Sequence, residues 1–111
     1  MIFVTGPLFA GKEKAICRHL GWNRADFAAC GLRDVQELAA NCEDLSALAD
    51  ELSKKTVVIA TEVGGGIVPI DAEQRYHREQ AGRLACLLAQ RADTVVRVCC
   101  GIPQVLKGKL P

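Results

Sequence analysis

The residues whose types and spacing could do chemistry stand together near the start of the chain. Gly6-Pro7-Leu8-Phe9-Ala10-Gly11-Lys12 follows the pattern G-x-x-x-x-G-K. In that pattern glycines let backbone N–H groups turn inward around a phosphate, and the lysine reaches its outer oxygens. The apolar residues before it, Met1-Ile2-Phe3-Val4-Thr5, read as a strand, and Lys14 to Leu20 reads as a helix whose N-terminal end adds partial positive charge. Strand, loop and helix thus come in the order that the P-loop of nucleotide-binding proteins requires, and a nucleotide phosphate is the expected ligand.

One position departs from the pattern. Where the motif places a Ser or Thr hydroxyl on magnesium, this chain has Glu13. At roughly 5 Å and an effective dielectric of about 20, a carboxylate beside a phosphate charge costs on the order of 3 kcal/mol. A magnesium ion between them reverses the sign, so on this reading Glu13 is a metal ligand and nucleotide binding is weak and strongly dependent on magnesium. On the other reading Glu13 is an acid favoured by the dipole of the first helical turn, and it occupies the anion site itself. The sequence leaves both open.

Composition narrows the function classes. With 111 residues, half of them apolar, the chain is expected to form one domain over 1–111 with a single core. A net charge of +1 supplies no field for nucleic acid or an anionic membrane, and neither is an expected partner. No apolar run approaches the length of a membrane span or a signal peptide, so a cytoplasmic location is expected. The six cysteines form no C-x-x-C pair, and they read as reduced, small core residues. Cys17 and His19 have no second pair at zinc-site spacing.

The remaining elements must position the loop. Asp26 to Cys30 reads as a short strand. From Arg33 to Lys55, Val35, Leu38, Ala39, Cys42, Leu45, Leu48, Ala49 and Leu52 recur at helical intervals, which fits one long helix or two broken near Asn41 to Asp44. Thr56 to Thr61 is β-branched and apolar, as a buried parallel strand should be. Glu62 to Pro69 is a glycine-rich loop. A helix from Asp71, its N-cap, to Arg91 follows, with an apolar stripe of Ala81, Leu84, Leu88 and Ala92 joined by Leu87. Thr94 to Cys100 is a third strong strand, stopped by Gly101-Ile102-Pro103. Strands alternating with helices predict an α/β fold, three-layered, with a small, mostly parallel sheet flanked by helices. In such sheets ligands bind outside the carboxyl ends of the strands, where Gly6 to Glu13, Glu62 to Pro69 and Gly101 to Pro103 all emerge.

Three blocks carry a family resemblance: Met1 to Gly6 with Gly11-Lys12; Thr61-Glu62-Val63-Gly64-Gly65-Gly66-Ile67-Val68-Pro69 with Arg78 and Ala81-Gly82-Arg83; and Cys100-Gly101-Ile102-Pro103 with Leu106-Lys107. Together they resemble the bifunctional adenosylcobinamide kinase/adenosylcobinamide-phosphate guanylyltransferase family of cobalamin biosynthesis. The likeness covers the first fifth and the last half of the chain. It implies a P-loop NTPase-like fold, a nucleotide (ATP or GTP) with magnesium, a corrinoid acceptor and assembly as a trimer. It also implies nucleotide contacts from Gly6, Pro7, Leu8, Phe9, Ala10, Gly11, Lys12, Glu13, Gly101 and Pro103. Lys12 and Glu62 would do the chemistry of phosphoryl transfer, with Glu62 alongside Glu13 as a magnesium ligand. Family members are longer. The family's guanylylated histidine and its magnesium-associated acid have no counterpart between Gly21 and Lys55, and neither His19 nor His77 stands in the family's histidine motif. Guanylyl transfer is therefore expected to be absent, and a non-catalytic binding module is the alternative reading.

Overall fold

The computed structural model describes residues 1–63 and 71–111. Five strands form one sheet in the order β2-β3-β1-β4-β5. β1 (Ile2–Gly6) is central and runs parallel to β3 (Val57–Thr61) on one side, register Ile2 to Val57, and to β4 (Thr94–Cys99) on the other, register Ile2 to Thr94. β2 (Gly31–Leu32) lies parallel outside β3, and β5 (Ile102–Lys107) pairs antiparallel with β4 as an edge. The continuous apolar runs of β1, β3 and β4 suit strands covered on both faces. Helices α1 (Lys12–Leu20) and α2 (Arg24–Cys30) pack one face, where Ile16 and Phe27 meet Ile2, Val4, Ile59 and Val96. Helices α3 (Leu45–Leu52) and α4 (Ala72–Arg91) pack the other, where Ala49, Leu52, Leu84 and Leu88 meet Phe3, Val58 and Val95. The expected three layers are present.

Several local readings require correction. Asp26 to Cys30 is helix, not strand. Asn23 caps α2 and exchanges hydrogen bonds with Asp26: the Asp26 amide donates to the Asn23 side chain at 2.9 Å, and the Asn23 amide donates to the Asp26 carboxylate at 2.9 Å. That reciprocal cap closes the first turn and decides the segment for helix. The strand comes directly after it, as the two residues of β2. Gly31 is needed there, since a Cβ would meet the Phe27 ring at 2.6 Å. The periodic segment that follows is broken as the two-helix alternative had it, but its first part is a 3-10 turn over Val35–Ala39, and Asp44 caps α3 by accepting from the Ala47 amide at 3.0 Å.

The third strand does end at this point, after Cys99, but Ile102 and Pro103 begin a further strand instead of leaving the sheet. Cys100 (φ 53°) and Gly101 (φ 74°) form a two-residue hairpin turn that sends the chain back as β5. Positive φ at both positions matches the twist of paired strands. The cysteines also differ from expectation. All six are free, as expected, but Cys30, Cys86, Cys99 and Cys100 are exposed and Cys17 and Cys42 half-buried, so that none is fully buried and Cys17 packs against the edge of the core.

Two glycines give a contrast in stability. A Cβ at Gly6 (φ 153°) would lie 2.2 Å from the Val98 carbonyl oxygen, whereas one at Gly82 in α4 meets nothing within 4 Å. Gly6→Ala should cost about 2 kcal/mol or more, a fall in Tm of about 10 °C. Gly82→Ala should stabilise by about 0.5–1 kcal/mol, because alanine loses less backbone freedom in a helix. Thermal denaturation followed by circular dichroism reads both.

Candidate functional site

The loop between β1 and α1 has the geometry the spacing predicts. Gly6 ends the central strand, Phe9 adopts φ 59°, and Gly11 (φ 80°) is the left-handed N-cap that turns the chain into α1. Ala10 is buried and its amide donates to the Pro7 carbonyl at 3.3 Å; Leu8 and Phe9 at the tip are exposed, Phe9 to 94%. Lys12 is the first helical residue, two positions earlier than the sequence suggests, and only 8% exposed. Its ammonium donates to the Pro7 carbonyl at 2.8 Å across the loop it is expected to serve. Burial pushes the Lys12 pKa below the ordinary lysine range, opposed by the nearby carboxylates of Asp34 and Glu62.

The hairpin turn braces this loop. The Gly101 amide donates to the Ala10 carbonyl at 2.8 Å, and a Cβ on Gly11 would stand 3.7 Å from the Gly101 Cα. Gly101 is thus brought to the loop, while Pro103 lies further along β5 opposite Val98. The loop edges one wall of a cleft at the carboxyl ends of the strands, and Arg33, Asp34 and Thr61 contribute to the other.

Both acids expected to hold magnesium are engaged by arginines. Glu62 follows β3, its amide donates to the Gly6 carbonyl at 2.8 Å, and its carboxylate takes two hydrogen bonds from Arg97 of β4, at 2.6 and 3.0 Å. These bonds raise the Arg97 pKa above its ordinary value. Glu13 accepts from Arg33 at 2.9 Å. A magnesium ion wants an octahedron of oxygens, commonly one or two carboxylates plus phosphate and water. At either glutamate it would have to displace a guanidinium, so the residues as placed do not fit the ion. Among the described residues no group of three or more potential ligand side chains converges. The triple glycine of the sequence lies in 64–70, outside the described residues.

Three residues of this site escape a reading of the sequence. Asp34, in the left-handed region at φ 55°, accepts from the Thr61 hydroxyl at 3.5 Å and is close enough to influence Lys12. Arg33 precedes it, and both are obscured once the strand is placed at Asp26 to Cys30 rather than at Gly31–Leu32. Arg97 has a visible signal: it is the one charge inside an otherwise apolar strand. His19 sits at the far end of α1, bonded to the Pro111 carbonyl at 2.8 Å, and His77 lies on α4 beside Glu73 at 3.9 Å.

A glycine-bounded loop joining a central parallel strand to a helix, with a buried lysine at the helix's first position, defines a P-loop NTPase-like protein. Residues 2–106 match the family described as cobinamide kinase / cobinamide phosphate guanyltransferase, and the chain belongs to that family. It is 32% identical over 76 residues to the bifunctional adenosylcobalamin biosynthesis protein CobP of Pseudomonas aeruginosa. The match takes in 68% of this chain and 44% of that relative, so the chain corresponds to less than half of the relative's length. No helix among the described residues is long and apolar enough to cross a membrane.

The displaced pKa of Lys12 gives a test with a definite sign. A lysine whose folded pKa lies below 10.5 binds its proton less well folded than unfolded. It therefore destabilises the fold at neutral pH, and that cost disappears as the pH rises from the folded value toward 10.5. Lys12→Met should leave Tm at pH 7 equal or higher, and its Tm should lose the parent's gain on going to alkaline pH. Thermal melts of the two proteins across pH 7 to 10.5 check it.

Proposed function

We propose that this chain binds the phosphates of a nucleoside triphosphate, ATP or GTP, in the loop from Gly6 to Lys12. The observation that supports this best is the burial of Lys12 inside a loop whose backbone is already shaped by Gly11 and braced by Gly101. A buried ammonium with one carbonyl partner retains two N–H donors for an anion. The reaction of the family, phosphoryl transfer to a cobinamide hydroxyl, needs positioning and charge stabilisation more than covalent chemistry. Lys12 would neutralise the transferred phosphate. Glu62, fixed by Arg97, would orient the acceptor hydroxyl, and a corrinoid is the proposed acceptor. The alternative, a binding module without transfer, is favoured by the pairing of both glutamates.

Guanylyl transfer is not part of this function. It needs an activated nucleophile in line with the α-phosphate, and His19 is about two turns of helix from the loop. Equilibrium dialysis with labelled ATP and GTP should detect binding, and Lys12→Met should weaken it by about tenfold or more, in line with the loss of a charge-assisted contact. Incubation with GTP labelled at the α-phosphate should leave the protein unlabelled. Binding unaffected by Lys12→Met would refute the site, and an acid-labile adduct on either histidine would restore guanylyl transfer.

Self-association belongs to the same proposal. β5 is an edge strand with Ile102, Val105 and Leu106 exposed, and Leu38 stands out from the 3-10 turn. Such apolar residues at an open edge favour a further copy over water. Light scattering should give a mass of at least two chains of 11.9 kDa; a monomer at every concentration would count against it.

A further inference from the structure

Glu13 stands at the position from which a P-loop hydroxyl reaches magnesium, and its partner is an arginine. Arg33 comes from the other wall of the cleft, just after β2, and its Nη1 donates to the Glu13 carboxylate at 2.9 Å. Both residues line the same cleft as Leu8 to Lys12. The acid therefore does not face the anion site as a bare charge. It holds a guanidinium there, and a guanidinium has five N–H donors, of which this bond uses one. The Arg33 side chain is 66% exposed, so its remaining donors are open to a ligand. A planar fork of positively charged donors matches the oxygens of a phosphate.

We propose that Arg33, anchored by Glu13, takes the place of the divalent cation, so that the chain binds nucleotide phosphates without magnesium. The inference rests on the anion-site reading of the Gly6 to Lys12 loop and adds the group that completes its charge. Lys14 and Arg24 also line the cleft and reinforce the positive potential, and Asp34 is the acid on the opposing side. Asp34 is one carboxylate without a second acid released to share an ion, since Glu13 and Glu62 are both held by arginines.

The test is equilibrium dialysis of the full chain with labelled GTP, once in excess EDTA and once in millimolar magnesium. The parent should bind with affinities within about threefold of each other in the two buffers. Arg33→Gln should lose about tenfold or more in EDTA and recover in magnesium, because the freed Glu13 carboxylate then accepts the ion. Against a Glu13→Gln background, Arg33→Gln should still cost about tenfold in EDTA, which assigns the effect to the guanidinium rather than to an unpaired acid. Both side chains are on the surface, and thermal melts matching the parent would show the variants folded. Binding found only with magnesium would overturn the proposal, as would an Arg33→Gln protein that binds like the parent in EDTA. Magnesium-dependent binding abolished by Asp34→Asn would also overturn it and assign the ion to Asp34. Absence of binding in either buffer would instead refute the anion site, and this inference with it.

Discussion

The close approach of Gly6 to the carbonyl of Val98 is the constraint on which the rest of the site depends. Only a residue without a Cβ fits there, since the nearest carbonyl oxygen is 2.2 Å from where that atom would be. Because β1 can end against β4 at this point, the chain leaves the sheet at its centre and rises as a loop rather than continuing as strand. Gly11 then turns it into α1, and Lys12 is carried inside. Ile16, one turn on, seats the helix against Val4 and Val96, so the lysine's position is fixed by hydrophobic packing as much as by the loop.

Charge is arranged around this loop in pairs that each join two elements. Glu62 and Arg97 reach across the end of β1 from β3 and β4, and Glu13 and Arg33 join α1 to the end of β2. Neither pair is buried, and exposed pairs contribute little to stability. Their consequence is for the field in the cleft. Glu13 and Glu62, which could repel a phosphate, are each matched by an arginine, so the local sign is set by Lys12, Lys14, Arg24 and the helix N-terminus against the carboxylate of Asp34. The same matching takes away the carboxylates that a metal-dependent site would use.

Much of the fold was legible in the sequence, and the reasons are physical. β1, β3 and β4 are mostly apolar because both faces are covered, and α4 shows its stripe because only one is. The loop was legible because its glycines and lysine answer to backbone geometry. What escaped was decided by single contacts. The Asn23 to Asp26 cap turned an apolar stretch into helix, and a two-residue strand is too short to show any period. The hairpin is hidden in the sequence because Pro103 reads as a stop, yet proline is tolerated on β5, an edge strand. Arg33 and Asp34 reach the site because β2 lies beside β3, and their meeting with the loop spans twenty residues or more of sequence and depends on sheet order.

The bond from the Gly101 amide to the Ala10 carbonyl ties the loop from Gly6 to Lys12 to the start of an exposed strand. Every residue of β5 is exposed, so the hairpin has little apolar area holding it down. Local opening of a structure draws on whichever element is weakest, and an amide exchanges with solvent at the rate that element frays. The hydrogen-exchange protection of Gly101 is therefore a gauge of the loop's rigidity. Whatever clamps the outer edge of β5 slows that fraying and stiffens the loop at a distance, with no change in any residue between Gly6 and Lys12.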